Sequence, residues 1–322
     1  MRLPTVNPND AGDIDIELVK KMVDRYMELG FTYFDTALMY CNEKSESAVK
    51  QFLTSRYPRE KYTLATKLHN AYIHTEEDCE KVFNGQLERT GAGYFDYYLV
   101  HDINVHSLPV YNQLKVFDFV QQKKADGLIK HVGFSFHDSP ELLDKVLSEH
   151  LEMEFVQIQL NYFDYDNPAV RSRECYEVCL KYNKPIIIME PIKGGTLVNM
   201  DDKIVNMYKE YSPDKSVASW AIRFAASHKN VAMVLSGMSN FEQLDDNTSY
   251  MKDFVPLSDD EYTIIKKAVK ILNDEKSIPC TGCSYCTGGC PQNIAIPKYF
   301  GLFNADVKQD PKGTAGWTVQ QE

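Results

Sequence analysis

The sequence predicts an α/β chain whose strands close into a (β/α)8 barrel. Seven short runs rich in β-branched and aromatic residues alternate without interruption with helical stretches, which implies a parallel sheet. The first three of those runs end on side chains capable of chemistry, at the carboxyl ends where barrel enzymes keep their sites. No G-x-G-x-x-G follows any strand, so an open dinucleotide-binding sheet has no support.

The elements follow in order. After Asp15, the register Ile16, Val19, Val23, Tyr26, Met27 predicts an amphipathic helix that stops at Gly30. Residues 31–35 then read as a buried strand ending at Asp35, with Tyr40 just beyond it. Ser45 opens a helix through Val49 and Leu53, and the strand over 62–66 runs into Lys67. Thr75-Glu76-Glu77-Asp78 is a capping sequence for a helix reaching about Thr90, and the strand over 95–100 runs into His101. A helix over 108–125 stops at Gly127, and residues 129–135 are a strand. Ser139-Pro140 starts the next helix, followed by a strand over 155–161; Asn167-Pro168 starts another, followed by a strand over 185–190. A helical region over 216–227 and a strand over 231–236 complete the series. A full barrel needs one more strand before Ile16, and only Met1-Arg2-Leu3-Pro4 is there to form it, so the first strand is expected to be largely missing and its neighbours left with unpaired edges.

Near Pro256 the composition shifts to a charged helix over 258–273, a cysteine cluster and a polar tail, which divides the chain into a barrel over 1–255 and a C-terminal appendage over 256–322. A formal charge of −11 argues against nucleic acid or an anionic membrane as a partner. There is no signal-peptide pattern and no apolar run long enough for a bilayer, so a soluble, cytoplasmic protein is expected.

The three strand ends bring together an acid, a phenol, an amine and an imidazole. A phenol with an ordinary pKa of about 10 is a poor acid near neutrality, and an ammonium beside it eases proton release. Asp35 can keep Lys67 charged, Tyr40 can give the proton, and His101 can hydrogen-bond and orient a carbonyl oxygen. Each residue alone has an ordinary explanation: a helix cap, a half-buried aromatic, a solvated charge, a satisfied polar group. Four compatible groups at three successive strand ends favour carbonyl reduction.

Asp35-x4-Tyr40 followed by Lys67 and His101 resembles the catalytic tetrad of the aldo-keto reductase family, and the resemblance covers about residues 1–255. It implies Tyr40 as proton donor, Lys67 as the group lowering its pKa, Asp35 as the partner of Lys67, and His101 as substrate orienter. For the nicotinamide it implies that Ser135 and Gln157 hold the carboxamide, although Phe136 stands where asparagine is usual and Met189 where an aromatic usually stacks. Pro191-Ile192-Lys193-Gly194-Gly195 resembles the loop along the pyrophosphate, its glycines letting the backbone come close; an ordinary strand-to-helix turn explains it equally well. Ser236-Gly237-Met238-Ser239 is expected to open a helix whose free N–H groups suit a phosphate, and Gln243 and Asn247, four apart, suit an adenine. No basic residue occupies positions 237 or 243, and Glu242, Asp245 and Asp246 are acidic, so NADP and NAD both stay open.

Cys280-x2-Cys283-x2-Cys286-x3-Cys290-Pro291 is the bacterial ferredoxin run, favoured over zinc or a disulfide scaffold. One [4Fe–4S] cluster on all four cysteines is the expectation, with Cys41, Cys79, Cys175 and Cys179 as candidates for a remote ligand. The whole chain thus resembles the subset of the family that carries a C-terminal iron–sulfur segment. The reading is an NAD(P)H-dependent reductase of a small-molecule carbonyl substrate, its cluster structural or electron-transferring. The competing readings are an electron-transfer protein working with a redox partner protein, and a cofactor-sensing binding subunit.

Overall fold

A computed structural model describes residues 2–168, 170–274, 290, 292 and 294–309. The chain forms two compact units, one of Met1–Pro191 with Ala218–Pro256 and one of Ile192–Val217 with Leu257–Glu322.

The first unit is built on seven strands: β1 (Tyr33–Asp35), β2 (Thr63–Leu68), β3 (Phe95–Ile103), β4 (Ile129–Phe136), β5 (Phe155–Gln159), β6 (Ile186–Met189) and β7 (Val231–Val234). They are all parallel and hydrogen-bonded in sequence order from β1 to β7. This curled sheet is the expected α/β architecture short of closure, because the ladder among the described residues does not join β7 to β1. The helices do meet across that gap: α1 (Ile16–Glu28) carries Arg25, whose Nε lies 2.9 Å from Asp245 Oδ1 on α10 (Phe241–Met251).

Strand alternation decides what faces inward. Ala65, Leu99, Phe155 and Ile187 form one buried cluster with Tyr33, Tyr97, Met233 and Leu235 against it. Two residues further along each strand, the same face carries Asp35, Lys67, His101, Gln157 and Met189, with Ser135 paired in register to Gln157. Each large apolar side chain so buried contributes about 1.5–3 kcal/mol. The layer that stabilises the sheet thus also fixes the polar ring above it. Gly133 belongs to this face, and a Cβ there would lie 2.4 Å from the Phe155 carbonyl oxygen.

Local sequence explains most helix ends. Asp15 caps α1 through Leu18 N, and Thr75 and Asp78 form a reciprocal capping box on α3 (Glu76–Thr90), which Gly91 ends at φ +64°. Three expectations need correction. The helix over 108–125 is two, α4 (Leu108–Gln113) and α5 (Val116–Ala125), broken at Lys115 with φ +50°. Tyr111 pins α4 by donating to the His101 carbonyl at 2.5 Å and accepting from Asn70 N at 3.0 Å, a tertiary constraint that periodicity does not report. Asn167-Pro168 lies in a turn, and α7 (Ser172–Lys181) starts only after Arg171, left-handed at φ +56°. Ser236–Ser239 is loop, because α10 takes its cap from Asn240, which accepts from Gln243 N at 2.8 Å. The remaining α-helices of this unit are α2 (Ser45–Val49), continued by a wider turn over Lys50–Thr54, α6 (Pro140–Glu149), and α9 (Val217–Ala226) from Ala218 onward.

In the second unit, α8 (Asp202–Tyr211) precedes α11 (Asp259–Asp274) and α12 (Ile296–Gln309), and α9 (Val217–Ala226) begins at its border. Ser258 and Glu261 cap α11 reciprocally, and Lys215 Nζ lies 2.8 Å from Glu261 Oε1. No helix among the described residues is long and apolar enough to cross a membrane.

Candidate active site

Lys67 is the centre of the rim. Its side chain is fully buried, and Nζ lies 2.5 Å from Asp35 Oδ1 and 2.9 Å from the Thr36 carbonyl oxygen. The same ammonium interacts with the Tyr40 hydroxyl, lying 5.0 Å from the centroid of the phenol ring. Burial works against the charge, but Asp35 and Tyr40 outweigh it and hold Lys67 above the ordinary lysine range.

Tyr40 is placed by an unusual turn. Cys41, Asn42 and Glu43 all take positive φ, at 54°, 53° and 64°, a conformation costing a non-glycine residue about 1 kcal/mol or more. Tyr72 donates to Glu43 Oε1 at 2.8 Å and Asn42 to Asp10 Oδ1 at 3.0 Å, so side chains from outside the turn hold it. The expected easing of proton release is only partial. Burial pushes the Tyr40 phenol above its ordinary value and Lys67 offsets part of that rise, leaving a protonated hydroxyl at neutral pH.

His101 lies edge-on to Tyr40, ring centroids 5.9 Å apart, and Nδ1 is buried without a hydrogen-bond partner. Burial, then the Lys67 charge, depress its pKa well below the usual histidine range, so the ring is neutral. A protonated phenol, a neutral imidazole and a buried ammonium therefore converge on one place. That set can donate two hydrogen bonds to a carbonyl oxygen and give it a proton.

On the other side of the ring, Gln157 donates to Met189 Sδ at 3.4 Å, while its Oε1 is buried with no partner. The Ser135 hydroxyl accepts from Asp102 N at 2.7 Å, which leaves its own proton to donate elsewhere. An unpaired acceptor beside a spare donor matches the two ends of a carboxamide. Phe136 points to the opposite face, buried against Phe134 at 6.4 Å, so it contributes nothing to this ring.

The remaining candidates are distributed. Pro191 ends the first segment of the first unit, and Ile192, Lys193, Gly194 and Gly195 belong to the second, where Gly194 and Gly195 take φ +65° and +108° in a tight turn. Gln243 and Asn247 are engaged in holding the loop after β7: Gln243 Oε1 accepts from Ser239 N at 2.7 Å, and Asn247 donates to Ser236 Oγ at 2.9 Å. Gly237 lies against Arg2, whose Cβ a side chain there would meet at 3.0 Å, and Met238 is half-buried. Cys280, Cys283 and Cys286 lie outside the described residues; Cys290 is partly exposed and, among the described residues, in no disulfide. Among the described residues no group of three or more His, Cys, Asp or Glu side chains forms a metal site.

Two further polar side chains stand beside the rim, His69 and Asp102. His69 lies two residues beyond Lys67 and so shares its face, its ring 5.1 Å from that of His101 and its Nε2 3.9 Å from Asp102 Oδ2.

A model of the Aldo/keto reductase family matches residues 5–270. The chain is 23% identical over 257 residues to the oxidoreductase YqkF of Bacillus subtilis, covering 70% of this chain and 79% of that one. It is 22% identical over 255 residues to L-galactose dehydrogenase of Arabidopsis thaliana, covering 73% and 78%. Its fold is similar to the holo form of an aldo-keto reductase from Bacillus halodurans, with TM-score 0.64 and 21% identity over 83% of this chain and 91% of that one. It is also similar to an aldo-keto reductase from Klebsiella pneumoniae in complex with NADPH, with TM-score 0.64, 18% identity and coverage of 83% and 90%.

Proposed function

Because this chain belongs to the aldo/keto reductase family of oxidoreductases, we propose that it reduces an aldehyde or ketone at the expense of a nicotinamide nucleotide, with Tyr40 as proton donor. The observation that carries the reading is the meeting of Asp35, Lys67, Tyr40 and His101 on one rim, with Lys67 bridging Asp35 and Tyr40.

The unpaired Gln157 Oε1 and the spare proton of Ser135 support a nicotinamide beside them: Gln157 would accept from the carboxamide nitrogen and Ser135 would donate to its oxygen, with Met189 against the ring. Pro191 would border the pyrophosphate, and Ser236, Gly237, Met238, Gln243 and Asn247 the adenosine end. When bound in reduced form, the nucleotide supplies a hydride to the carbonyl carbon. The protein's share is the oxygen: His101 and Tyr40 donate hydrogen bonds to it, and the Tyr40 proton passes to it as the C=O bond becomes C–O, giving an alcohol. Lys67 stabilises the phenolate left behind, and Asp35 balances Lys67. The NADPH of the Klebsiella relative supports the phosphorylated nucleotide, while acidic Glu242 and Asp246 near Gln243 support NADH.

The ferredoxin spacing supports one [4Fe–4S] cluster on Cys280, Cys283, Cys286 and Cys290 in the appendage 256–322, as in the iron–sulfur subset of the family. Its thiolates fit a cytoplasmic protein. The same run favours a second reading, electron transfer to a redox partner protein. Anaerobic titration with NADH and NADPH, following nucleotide and visible cluster absorbance together, tests both. Nucleotide oxidation that depends on an added carbonyl and leaves the cluster spectrum unchanged supports the reductase. Bleaching of the cluster without a carbonyl supports electron transfer, and no nucleotide binding overturns the reductase reading.

A further inference from the structure

We propose that His69 and Asp102 form a second recognition point beside the tetrad and select carbonyl compounds bearing a hydroxyl on the α or β carbon. The inference rests on the reductase reading and deepens it.

Asp102 is held in place by its surroundings. The β3–β4 register shifts between Val100 and Ile103, and Asp102 sits in that irregularity with φ +53°. Its N–H donates to Ser135 Oγ at 2.7 Å, and its carbonyl accepts from Ser107 Oγ at 2.6 Å and from Asn104 Nδ2 at 3.2 Å. A strained residue so strongly determined, next to reacting groups, is where function is to be sought. The consequence is geometric: on a regular strand His101 and Asp102 would face opposite ways, yet both stand against His69.

His69 has a fixed tautomer. Its Nδ1 accepts from Ala71 N at 3.0 Å, so the ring proton is on Nε2, and Nε2 lies 3.9 Å from Asp102 Oδ2. That gap is too long for a direct hydrogen bond. A single oxygen about 2.8 Å from each atom would fill it, with roughly a right angle at the oxygen. The oxygen must accept from an N–H and donate to a carboxylate, which a hydroxyl does. A methyl group satisfies neither side, a carboxylate is repelled by Asp102, and an ammonium faces the His69 N–H. The side chains are 15% and 36% exposed, so a ligand can reach them. His69 and His101 ring centroids are 5.1 Å apart, so the two rings are neighbours, and a small substrate whose carbonyl is held by His101 would carry its hydroxyl on a nearby carbon.

The test uses two ketones of nearly equal shape, hydroxyacetone and 2-butanone, with wild type, Asp102→Asn and His69→Phe. Asparagine tolerates the left-handed backbone, so the first variant keeps the fold. Wild type is expected to favour hydroxyacetone in kcat/KM by about tenfold to a hundredfold, and each variant to lose most of that preference while 2-butanone changes by less than about threefold. Equal rates on the two ketones in wild type, or a preference retained in both variants, overturn the inference. If neither ketone is reduced, the reductase reading fails separately, and saturation-transfer NMR with hydroxyacetone decides this one. A signal present in wild type and lost in both variants supports it; no signal in wild type, or one unchanged in the variants, overturns it.

Discussion

Lys67 Nζ and Asp35 Oδ1 lie 2.5 Å apart, the lysine side chain without solvent exposure and the aspartate 13% exposed. A buried pair of this kind tolerates joint replacement better than the loss of one member, since a lone charge stays desolvated. Lys67→Met is therefore expected to lower unfolding stability by about 3–5 kcal/mol in urea titrations. Asp35→Leu combined with Lys67→Met should recover most of that loss while remaining inactive. A double variant no more stable than Lys67→Met would show that the pair is solvated.

Tyr40→Phe removes the proton and keeps the ring. The expected outcome is a fall in carbonyl reduction of about 10²–10⁴-fold, with nucleotide binding unchanged by fluorescence titration. Burial raises the Tyr40 pKa and Lys67 only partly offsets it, so the donor form is present throughout the neutral range and is lost as pH rises through that raised value. Wild-type kcat should thus be flat near neutrality and decline on the alkaline side. Full activity in Tyr40→Phe would remove this residue from the chemistry.

His101 links the site to acid stability. Its folded pKa is depressed, by burial first and by the Lys67 charge second, whereas the unfolded ring titrates near the ordinary value of about 6.5. Below that value the unfolded chain takes up a proton that the folded site refuses, so stability falls as pH drops from 6.5 toward the depressed value. One such group contributes a slope of about 1.4 kcal/mol per pH unit in that window. His101→Gln should flatten the decline of unfolding free energy between pH 6.5 and 5 by about that amount. An unchanged slope would show that His101 is already solvated when folded.

The convergence of Asp35, Lys67 and His101 on one rim is legible in the sequence because these residues sit at strand ends, where alternation alone places them on one face. Tyr40 was placed by position, but the left-handed turn over Cys41, Asn42 and Glu43 that orients it contains no glycine to announce it. Gln243 and Asn247, proposed for the adenosine end, also tie down the loop at Ser239 and Ser236, a local role that spacing does not encode. Asp102 has no signal in the hydrophobic pattern, because a strand irregularity turns it toward His69.

Gly133 offers a test of how closely the apolar layer sets the polar one. It faces inward between Leu99 and Phe155 in register, and an added Cβ would meet the Phe155 carbonyl oxygen at 2.4 Å and its ring at 2.7 Å. A backbone oxygen cannot rotate away, so Gly133→Ala must push β4 from β5. Overpacking of this sort costs about 1–3 kcal/mol. The displacement acts two residues below Ser135 and Gln157, which are paired across the same two strands. Gly133→Ala should therefore weaken nucleotide binding more than it changes kcat at saturating nucleotide, because the strain falls between β4 and β5, whereas Lys67 stands on β2 and His101 on β3. A variant that loses stability but binds nucleotide as wild type would show that β4 and β5 can separate without disturbing Ser135 and Gln157.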